Sequence, residues 1–278
     1  MIAAAARPVS GNWKDENVEL TAFARDNPRA VLGLSGGVDS AYLLYAGRRA
    51  GADWQPVYIR TVFQPAFELA DARRLCDILG VDLIVLDEDI LSDPKVRSNP
   101  ADRCYYCKQR LFGRIAEWAA AQGVPLTLDG SNASDPPADR PGMRAAKELG
   151  VRSPLREAGL TKAEIRRLSW EAGLFTWDKP AYACLATRIP VGTPLEPETL
   201  NKVERGEDAL RELGFSNLRI RIFHDAARLQ LPDAQMQAAI RKKDRILHVL
   251  KPFFSAVMLD LEARPGTEIP LDPEKGES

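Results

Sequence analysis

A short run of small and acidic residues has the composition of a phosphate-binding loop: Ser35, Gly36, Gly37, Val38, Asp39 and Ser40. The run follows a buried apolar segment, residues 29–34, and precedes a segment of helical composition, residues 40–50. Glycines at such a position let backbone amides approach an anion, and a helix N-terminus adds roughly half a positive charge. The spacing therefore predicts that this loop binds phosphate.

This loop differs from the G-x-x-x-x-G-K-[ST] loop of nucleoside triphosphatases, because no lysine follows its glycines. It contains Asp39 instead, and a carboxylate beside bound phosphates is favourable when Mg²⁺ lies between them. We therefore expect a catalytic role for Asp39 at a site that binds pyrophosphate as a unit and releases it, leaving AMP on an acceptor. A plain glycine turn is the alternative, but it would need neither Asp39 nor both serines.

Three cysteines could carry metal or sulfur chemistry. Cys104 and Cys107 form a C-x-x-C pair, which is equally compatible with zinc, a redox dithiol or an iron–sulfur cluster. Cys184 lies in an irregular segment that we expect near the ligand end of the sheet. Zinc would need a fourth ligand from His224 or His248, whereas three thiolates with one open position suit a [4Fe–4S] cluster.

The elements that must position these residues alternate along the first half of the chain. Strands are predicted at 29–34, 55–62, 81–86 and 125–128, and helices at 40–50, 67–79 and 111–122. Such alternation implies right-handed crossovers and a parallel sheet, with ligands outside the carboxyl ends of the strands. Cys76 occupies an apolar helical position and is expected to be a small buried side chain.

The pattern then changes towards the C-terminus. Residues 129–154 read as a long ordered loop, and Thr161 and Glu164 have the spacing of a helix-opening capping box. After residue 190 the sequence predicts helices at 196–213 and 232–250 and strands at 218–223, 227–231 and 256–261. We therefore predict an α/β domain, a parallel sheet with flanking helices, at residues 1–189. A small α+β domain for substrate binding or oligomerisation should follow at 190–278.

Composition and charge narrow the class of protein. The 278 residues are 45% hydrophobic and 28% charged, which is typical of globular domains. Basic minus acidic residues give 25 − 24 = +1 for 1–188 and 13 − 15 = −2 for 189–278. A generic nucleic-acid binder usually has a basic excess, so this balance disfavours nucleic acid as a partner. No apolar run approaches a membrane span and no signal peptide is visible, so the cytoplasm is the expected location.

The SGGxDS pattern after a strand resembles the PP-loop ATP pyrophosphatase superfamily, whose members adenylate an oxygen and then displace AMP with a nucleophile. The resemblance implies that adenine lies against the backbone after the second strand, at Ile59, Arg60 and Thr61. It also implies that Gly130 belongs to the ATP site, and that ATP and Mg²⁺ are bound.

Further motifs resemble the LarE family and occur in its order, at residues 103–108 (RCYYCK), 129–132 (DGSN), 139–144 (DRPGMR), 153–155 (SPL) and 178–188 (DKPAYACLATR). LarE proteins convert both carboxylates of pyridinium-3,5-biscarboxylic acid mononucleotide into thiocarboxylates. The product is a precursor of the nickel-pincer nucleotide of lactate racemase. The resemblance therefore implies a small-nucleotide substrate, a homo-oligomer, expected to be a hexamer, and a downstream nickel-insertion enzyme.

The same resemblance implies roles for individual residues. Cys184 matches the sulfur-bearing cysteine, which one branch of the family sacrifices as the sulfur source. The other branch adds a C-x-x-C pair and uses a [4Fe–4S] cluster that carries an extra sulfide. Because Cys104 and Cys107 are present, this chain resembles the second branch.

Substrate-binding residues follow from the resemblance too. Arg219 and Arg221 resemble the pair that binds the substrate phosphate, Glu207 resembles a nearby acidic residue, and Arg188 is placed to steady the adenylate. Solvated strand arginines are an equally weighted alternative for the pair. Further candidates without an assigned role are Lys108, Arg140, Arg144, Trp177 and Tyr182.

Other classes of protein share some of these features. A PP-loop tRNA thiolase can also combine a C-x-x-C pair with a third cysteine, but its substrate would demand a basic surface. An amidotransferase or NAD synthetase would leave the cysteines unexplained. A zinc-stabilised nucleotide sensor would need no turnover of ATP.

Overall fold

The structure, a computed structural model, describes residues 18–124, 126–135 and 141–265. In this part of the chain, four parallel strands form a sheet in the order β3-β2-β1-β4. These strands are β1 (Arg29–Gly33), β2 (Asp53–Arg60), β3 (Ile84–Asp87) and β4 (Thr127–Leu128). The predicted α/β fold class with a parallel sheet is therefore confirmed.

Helices cover this sheet, as apolar strands buried on both faces require. They are α1 (Val18–Asp26), α2 (Val38–Arg49), α3 (Ala66–Leu79), α4 (Pro94–Arg97), α5 (Arg103–Ala121), α6 (Pro141–Glu148), α7 (Pro154–Glu157) and α8 (Lys162–Glu171). Helix α2 packs closely because Gly47 lies against Trp54, where a Cβ would come 2.3 Å from the indole ring. Helix α8 opens with the predicted capping box of Thr161 and Glu164.

The C-terminal part forms a smaller α+β unit. Its elements are α9 (Pro197–Glu212), β5 (Arg219–Phe223), β6 (Ala226–Gln230), α10 (Asp233–Arg241), α11 (Lys243–Leu250) and β7 (Ala256–Leu259). Strand β6 pairs antiparallel with β5 and parallel with β7. The prediction of one helix at 232–250 is wrong, because the structure has two helices with Lys242 between them as the cap of both. Lys242 Nζ donates to the Leu213 carbonyl at 2.6 Å.

The sequence also misplaced structure around the predicted site. Helix α5 begins at Arg103 rather than residue 111, so Cys104 and Cys107 lie in its first turns. The predicted loop at 129–154 contains helix α6 and reaches the start of α7. Apolar spacing did not reveal these turns, since they are short or carry polar residues that face the site.

Separate hydrophobic cores support the sheet and the C-terminal unit. The first core contains Cys76, 1% exposed, as expected for a small buried side chain. The second core gathers C-terminal residues but also takes Phe63, Leu185 and Ala186 from before residue 190. The segment around Cys184 is therefore packed against the C-terminal unit, and the boundary at 190 stays a prediction. Among the described residues, no helix is both long and apolar enough for a bilayer crossing.

Candidate functional site

A cavity of ≈ 620 Å³ opens at the carboxyl ends of β1 and β2, and we call it the loop cavity. Its wall includes much of the predicted phosphate loop together with residues from distant segments: Ser35, Gly37, Val38, Asp39, Ser40, Gly130, Cys104, Lys108, Lys162, Lys179, Tyr182 and Cys184. The phosphate loop and the thiols of Cys104 and Cys184 thus share one cavity.

The phosphate loop has a defined geometry. The Ser35 amide donates to Ser40 Oγ at 3.2 Å, and the two hydroxyl oxygens lie 3.1 Å apart. Gly36 has a φ of +72°, and a Cβ there would come 2.5 Å from the Glu68 carbonyl oxygen. Gly130 is required for a similar reason, because its Cβ would lie 2.8 Å from the Ser40 amide nitrogen. The loop can therefore hold its curve only with glycines at these contacts.

Side chains that are distant in the sequence form hydrogen bonds with the phosphate loop. Lys162 Nζ donates to Asp39 Oδ2 at 2.5 Å, and Asn132 Nδ2 donates to Asp39 Oδ1 at 3.1 Å. Lys179 Nζ donates to the Gly36 carbonyl at 2.8 Å and pairs with Asp71 at 2.5 Å. Sequence reasoning missed both lysines, because neither lies in a glycine motif.

The expected adenine segment only partly reaches the loop cavity. Ile59 lines it, but Thr61 does not, because the Thr61 hydroxyl donates to Gln64 Oε1 at 2.6 Å. Arg60 ends β2 and pairs with the exposed Asp87 at 2.5 Å. Gln64 lines the cavity beside Ile59, and a contact of Thr61 with adenine stays a prediction.

The three cysteines singled out in the sequence, Cys104, Cys107 and Cys184, lie near the N-terminal end of helix α5. Cys104 is exposed, whereas Cys107 and Cys184 are partly buried against the second core. Burial raises the pKa of Cys107 to about 12, and the nearby thiols of Cys184 and Cys104 raise it further. Burial also raises the pKa of Cys184, which Arg103 opposes with its Nη2 3.9 Å from the sulfur.

The predicted metal site is not formed as these side chains lie. Within the described residues, no group of three or more His, Cys, Asp and Glu side chains is arranged to hold a metal ion. The histidines considered as zinc ligands, His224 and His248, line neither cavity described here. The thiols are nonetheless close, since Cys104 contributes to the raised pKa of both Cys107 and Cys184.

A smaller cavity of ≈ 280 Å³ shares the wall from Lys179 to Tyr182 with the loop cavity. We call it the arginine cavity, after the charged residues that line it: Lys179, Arg211, Arg219 and Arg264. Burial lowers the pKa of Arg219 to about 10, with help from the charges of Arg264, Arg188 and Arg221. Within the described chain Arg219 donates no hydrogen bond, so this cavity concentrates positive charge that an anion would offset.

The other predicted substrate residues are engaged by the protein itself. Arg221 donates to Gln230 Oε1 at 2.6 Å and to the Thr187 carbonyl at 2.8 Å. Arg188 and Glu207 form an ion pair at 2.9 Å with both side chains fully buried. These three residues line neither cavity. A direct contact of any of them with substrate therefore stays a prediction.

The remaining candidates separate by position. Lys108 lines the loop cavity and Tyr182 lines both cavities, whereas Arg144 lies over the Tyr105 ring and Trp177 lines neither. Arg140 lies outside the described residues. Tyr182 donates from its hydroxyl to Glu207 Oε2 at 2.7 Å, which fixes the ring between the cavities.

A carboxyl group that the sequence did not single out faces the loop cavity. Glu68 has its pKa raised to about 7 by burial, an effect that the charges of Lys179, Arg188 and Arg211 oppose and Asp71 strengthens. Its carboxylate accepts no hydrogen bond from the described residues. An acid in such a position is more easily buried neutral than charged.

We expect Glu68→Gln to change how stability depends on pH. A raised pKa means that the folded wild type loses stability as pH rises from about 4.5 to about 7, by up to about 3 kcal/mol. Glutamine cannot ionise, so the variant should gain stability relative to wild type between about pH 5 and about pH 8. Urea unfolding at both pH values measures this gain. An equal difference between the two proteins at both values would contradict the prediction.

Known proteins resemble this chain over most of its length, although no protein-family model matches it. It is 34% identical over 245 residues to the pyridinium-3,5-bisthiocarboxylic acid mononucleotide synthase of Lactiplantibacillus plantarum, which covers 87% of this chain and 89% of that enzyme. It is 36% identical over 249 residues to an uncharacterised protein of Synechocystis sp., covering 87% and 92%. The tRNA-specific 2-thiouridylase MnmA of Frankia alni is 30% identical over 189 residues, but covers only 55% of this chain and 53% of that enzyme.

Proposed function

The chain belongs to the LarE family, that of the pyridinium-3,5-bisthiocarboxylic acid mononucleotide synthases, and from this premise we propose that it is an ATP-dependent sulfurtransferase. Its substrate is pyridinium-3,5-biscarboxylic acid mononucleotide, whose carboxylates it converts into thiocarboxylates. The observation that carries the proposal is that the phosphate loop and Cys184 line the same cavity. A sulfur donor and an ATP-activated acceptor can therefore meet there.

The phosphate loop supports the first half of the reaction. Its backbone amides and the hydroxyls of Ser35 and Ser40 bind the β- and γ-phosphates, and Asp39 contributes a ligand to Mg²⁺. A substrate carboxylate oxygen attacks the α-phosphorus, and the bond to the bridging oxygen breaks. Pyrophosphate leaves with that electron pair, and an acyl adenylate remains.

Sulfur transfer completes the cycle beside Cys184. A sulfur nucleophile attacks the acyl carbon, the carbon–oxygen bond to AMP breaks, and AMP leaves with the electron pair. The product is a thiocarboxylate, and a second round modifies the other carboxylate. An acyl adenylate is activated for this attack, so the protein need only hold the sulfur and exclude water.

The donor set near the loop cavity fits an iron–sulfur cluster in chemistry, since Cys104, Cys107 and Cys184 supply thiols and no other side-chain type is needed. These three cysteines would hold a [4Fe–4S] cluster, which when bound supplies a deprotonated sulfide at its fourth iron. Their side chains must come closer together to do so, and Cys104, at the start of α5, is exposed. The alternative route takes the sulfur of Cys184 itself: its thiolate displaces AMP to form a thioester, a base removes the Cα proton, and the Cβ–S bond breaks to leave the thiocarboxylate and a dehydroalanine at position 184.

The arginine cavity is the place we propose for the substrate phosphate. Arg219 lines it without a partner among the described residues, and Arg264 faces the same space. A phosphate there would relieve the repulsion among these guanidinium groups. Because this cavity and the loop cavity share the wall from Lys179 to Tyr182, a mononucleotide bound by its phosphate could extend its pyridinium ring towards the phosphate loop.

The decisive experiment is an anaerobic turnover assay with the full chain, ATP, Mg²⁺ and the biscarboxylate mononucleotide. We expect one AMP and one pyrophosphate for each thiocarboxylate formed, read by mass spectrometry and nucleotide chromatography. A parallel reaction with labelled sulfur and bulk tRNA should leave the tRNA unlabelled. Label in tRNA would favour a tRNA thiolase, and bound zinc without AMP release would favour a nucleotide sensor.

A further inference from the structure

The phosphate loop has no lysine of its own, yet a lysine from helix α8 reaches it. Lys162 Nζ lies 2.5 Å from Asp39 Oδ2, and both side chains are partly exposed to the loop cavity, at 32% and 23%. The two residues are 123 positions apart in sequence. The fold thus delivers a cation to the loop that no local motif contains.

The lysines that line the loop cavity differ in what holds them. Lys179 is 15% exposed and is bound to both the Gly36 carbonyl and Asp71, so it braces the loop. Lys108 lies with its Nζ 4.8 Å from the centre of the Phe112 ring. Among the described residues, Lys162 pairs through its ammonium with Asp39 alone, the carboxylate expected to bind Mg²⁺.

The backbone of Lys162 is held firmly while its side chain can move. Its amide donates to Ser134 Oγ at 2.9 Å, and the capping box of Thr161 and Glu164 fixes the first turn of α8. Only the flexible four-carbon side chain separates this anchor from the ammonium. A change of partner by the ammonium therefore requires no movement of the helix.

We infer that Lys162 is the phosphate-binding lysine of this site and that it exchanges partners when ATP binds. Without ATP it neutralises Asp39; with ATP and a divalent cation bound, the cation takes Asp39 and the ammonium passes to the β- and γ-phosphates. The physical reason is that Asp39 cannot serve the cation and the ammonium equally, while the phosphates offer a stronger anion. This inference rests on the ATP chemistry of the proposed function.

Binding measurements on the full chain test the exchange. For Lys162→Met, we expect calorimetry to show pyrophosphate and ATP binding weakened about 10- to 100-fold in the presence of Mg²⁺, with AMP binding nearly unchanged. Lys162→Arg, which keeps the charge, should recover part of the loss. Lys147→Met, at an exposed position on α6, is the matched control and should bind all three ligands as wild type does.

A second measurement separates partner exchange from a merely structural role. Removing Lys162 frees Asp39, so Mn²⁺ alone should bind Lys162→Met more tightly than wild type by electron paramagnetic resonance titration. Opposite shifts for the metal and for pyrophosphate are expected only if Lys162 serves both partners. Unchanged pyrophosphate affinity in a variant that still binds AMP, or unchanged Mn²⁺ affinity, would overturn the inference.

Two different measurements distinguish a wrong role for Lys162 from a wrong proposed function. If wild type binds ATP and releases AMP with substrate while Lys162→Met binds pyrophosphate normally, only the role of Lys162 is wrong. If wild type forms no AMP with the biscarboxylate mononucleotide, the proposed function itself fails. The AMP affinity of the variant reports at the same time that its site is folded.

Discussion

Replacement of Cys184 by alanine should abolish thiocarboxylate formation while leaving adenylation intact. Cys184 lines the loop cavity, and the contact of its sulfur in the described part of the chain is with Arg103 Nη2, at 3.9 Å, outside the phosphate loop. Removing the sulfur therefore removes the second half of the reaction only. We expect product formation to fall below about one-thousandth of the wild-type rate, as for loss of a residue that acts at the reacting bond.

Two readouts distinguish the halves of the reaction in this variant. Exchange of labelled pyrophosphate into ATP, in the presence of the biscarboxylate substrate, reports adenylation, and mass spectrometry reports the thiocarboxylate. Cys76→Ala is the matched control, because Cys76 is a thiol buried in the first core away from the cavity. Loss of exchange together with product in Cys184→Ala would contradict the separation of roles.

The same cysteines decide how the sulfur is supplied. With a cluster, anaerobic wild type should contain about four irons per chain, and Cys184→Ala should lose them. The mass of wild-type Cys184 should then be unchanged after turnover. A colourless wild type whose Cys184 loses its sulfur during turnover would instead identify the sacrificial route.

The parts of this site that a sequence can reveal are those whose chemistry lies in contiguous residues. The phosphate loop was predictable because Ser35 to Ser40 carry both the glycines and the hydroxyls in one segment, directly after a strand. Gly130 was predictable only by resemblance, and its reason is the close approach of its backbone to Ser40. Local sequence thus predicts the loop, while packing explains its neighbours.

Long-range partners escaped prediction because no periodicity marks them. Lys162 and Lys179 reach the loop from 123 and 143 residues away; Lys162 lies in none of the motifs, and Lys179 lies in the motif at 178–188 without an assigned role. The capping box at Thr161 did indicate where α8 begins, but not which cavity its first residue faces. The contact of such a lysine with the phosphate loop can be recognised only in the three-dimensional structure, where the two segments lie together.

The misplacement of helix α5 has the same cause at shorter range. Residues 103–110 contain few apolar positions with helical spacing, because the side of these turns that carries Cys104 and Lys108 faces the loop cavity. Amphipathic periodicity therefore appears only after residue 111, where the helix packs against the sheet. Apolar periodicity therefore does not predict the turns of a helix whose side chains face a site rather than the core.

Glu207, in contrast to the two lysines, is a residue that the sequence predicted for the site, and the structure buries it completely. Its carboxylate accepts from Arg188 Nε at 2.9 Å, from Tyr182 Oη at 2.7 Å and from the Ile220 amide at 3.0 Å. Arg211 adds a further bond from its Nη2 at 3.3 Å. One carboxylate thereby joins α9, β5 and the segment that carries Cys184.

We expect Glu207→Ala to destabilise the protein by about 3–5 kcal/mol, because it leaves the buried Arg188 guanidinium without its counter-ion. Glu207→Gln, which keeps the size and some hydrogen bonds, should cost less. Urea unfolding followed by tryptophan fluorescence measures both, with the exposed Glu212→Ala on the same helix as control. A loss below about 1 kcal/mol in Glu207→Ala would show that Arg188 finds another partner, and would remove the structural account of this ion pair.

A loss of the expected size would also give Glu207 a structural role beside the cavities, whether or not it contacts substrate. Tyr182 lines both the loop cavity and the arginine cavity, and its ring is held by the bond to Glu207 and by Arg188, whose guanidinium carbon lies 4.4 Å from the ring centre. Tyr182→Phe removes only that bond and leaves the ion pair. We therefore expect Tyr182→Phe to lose less stability than Glu207→Ala in the same urea unfolding measurement, about 1.5–3 kcal/mol, since only a single hydrogen bond to a charged group is removed.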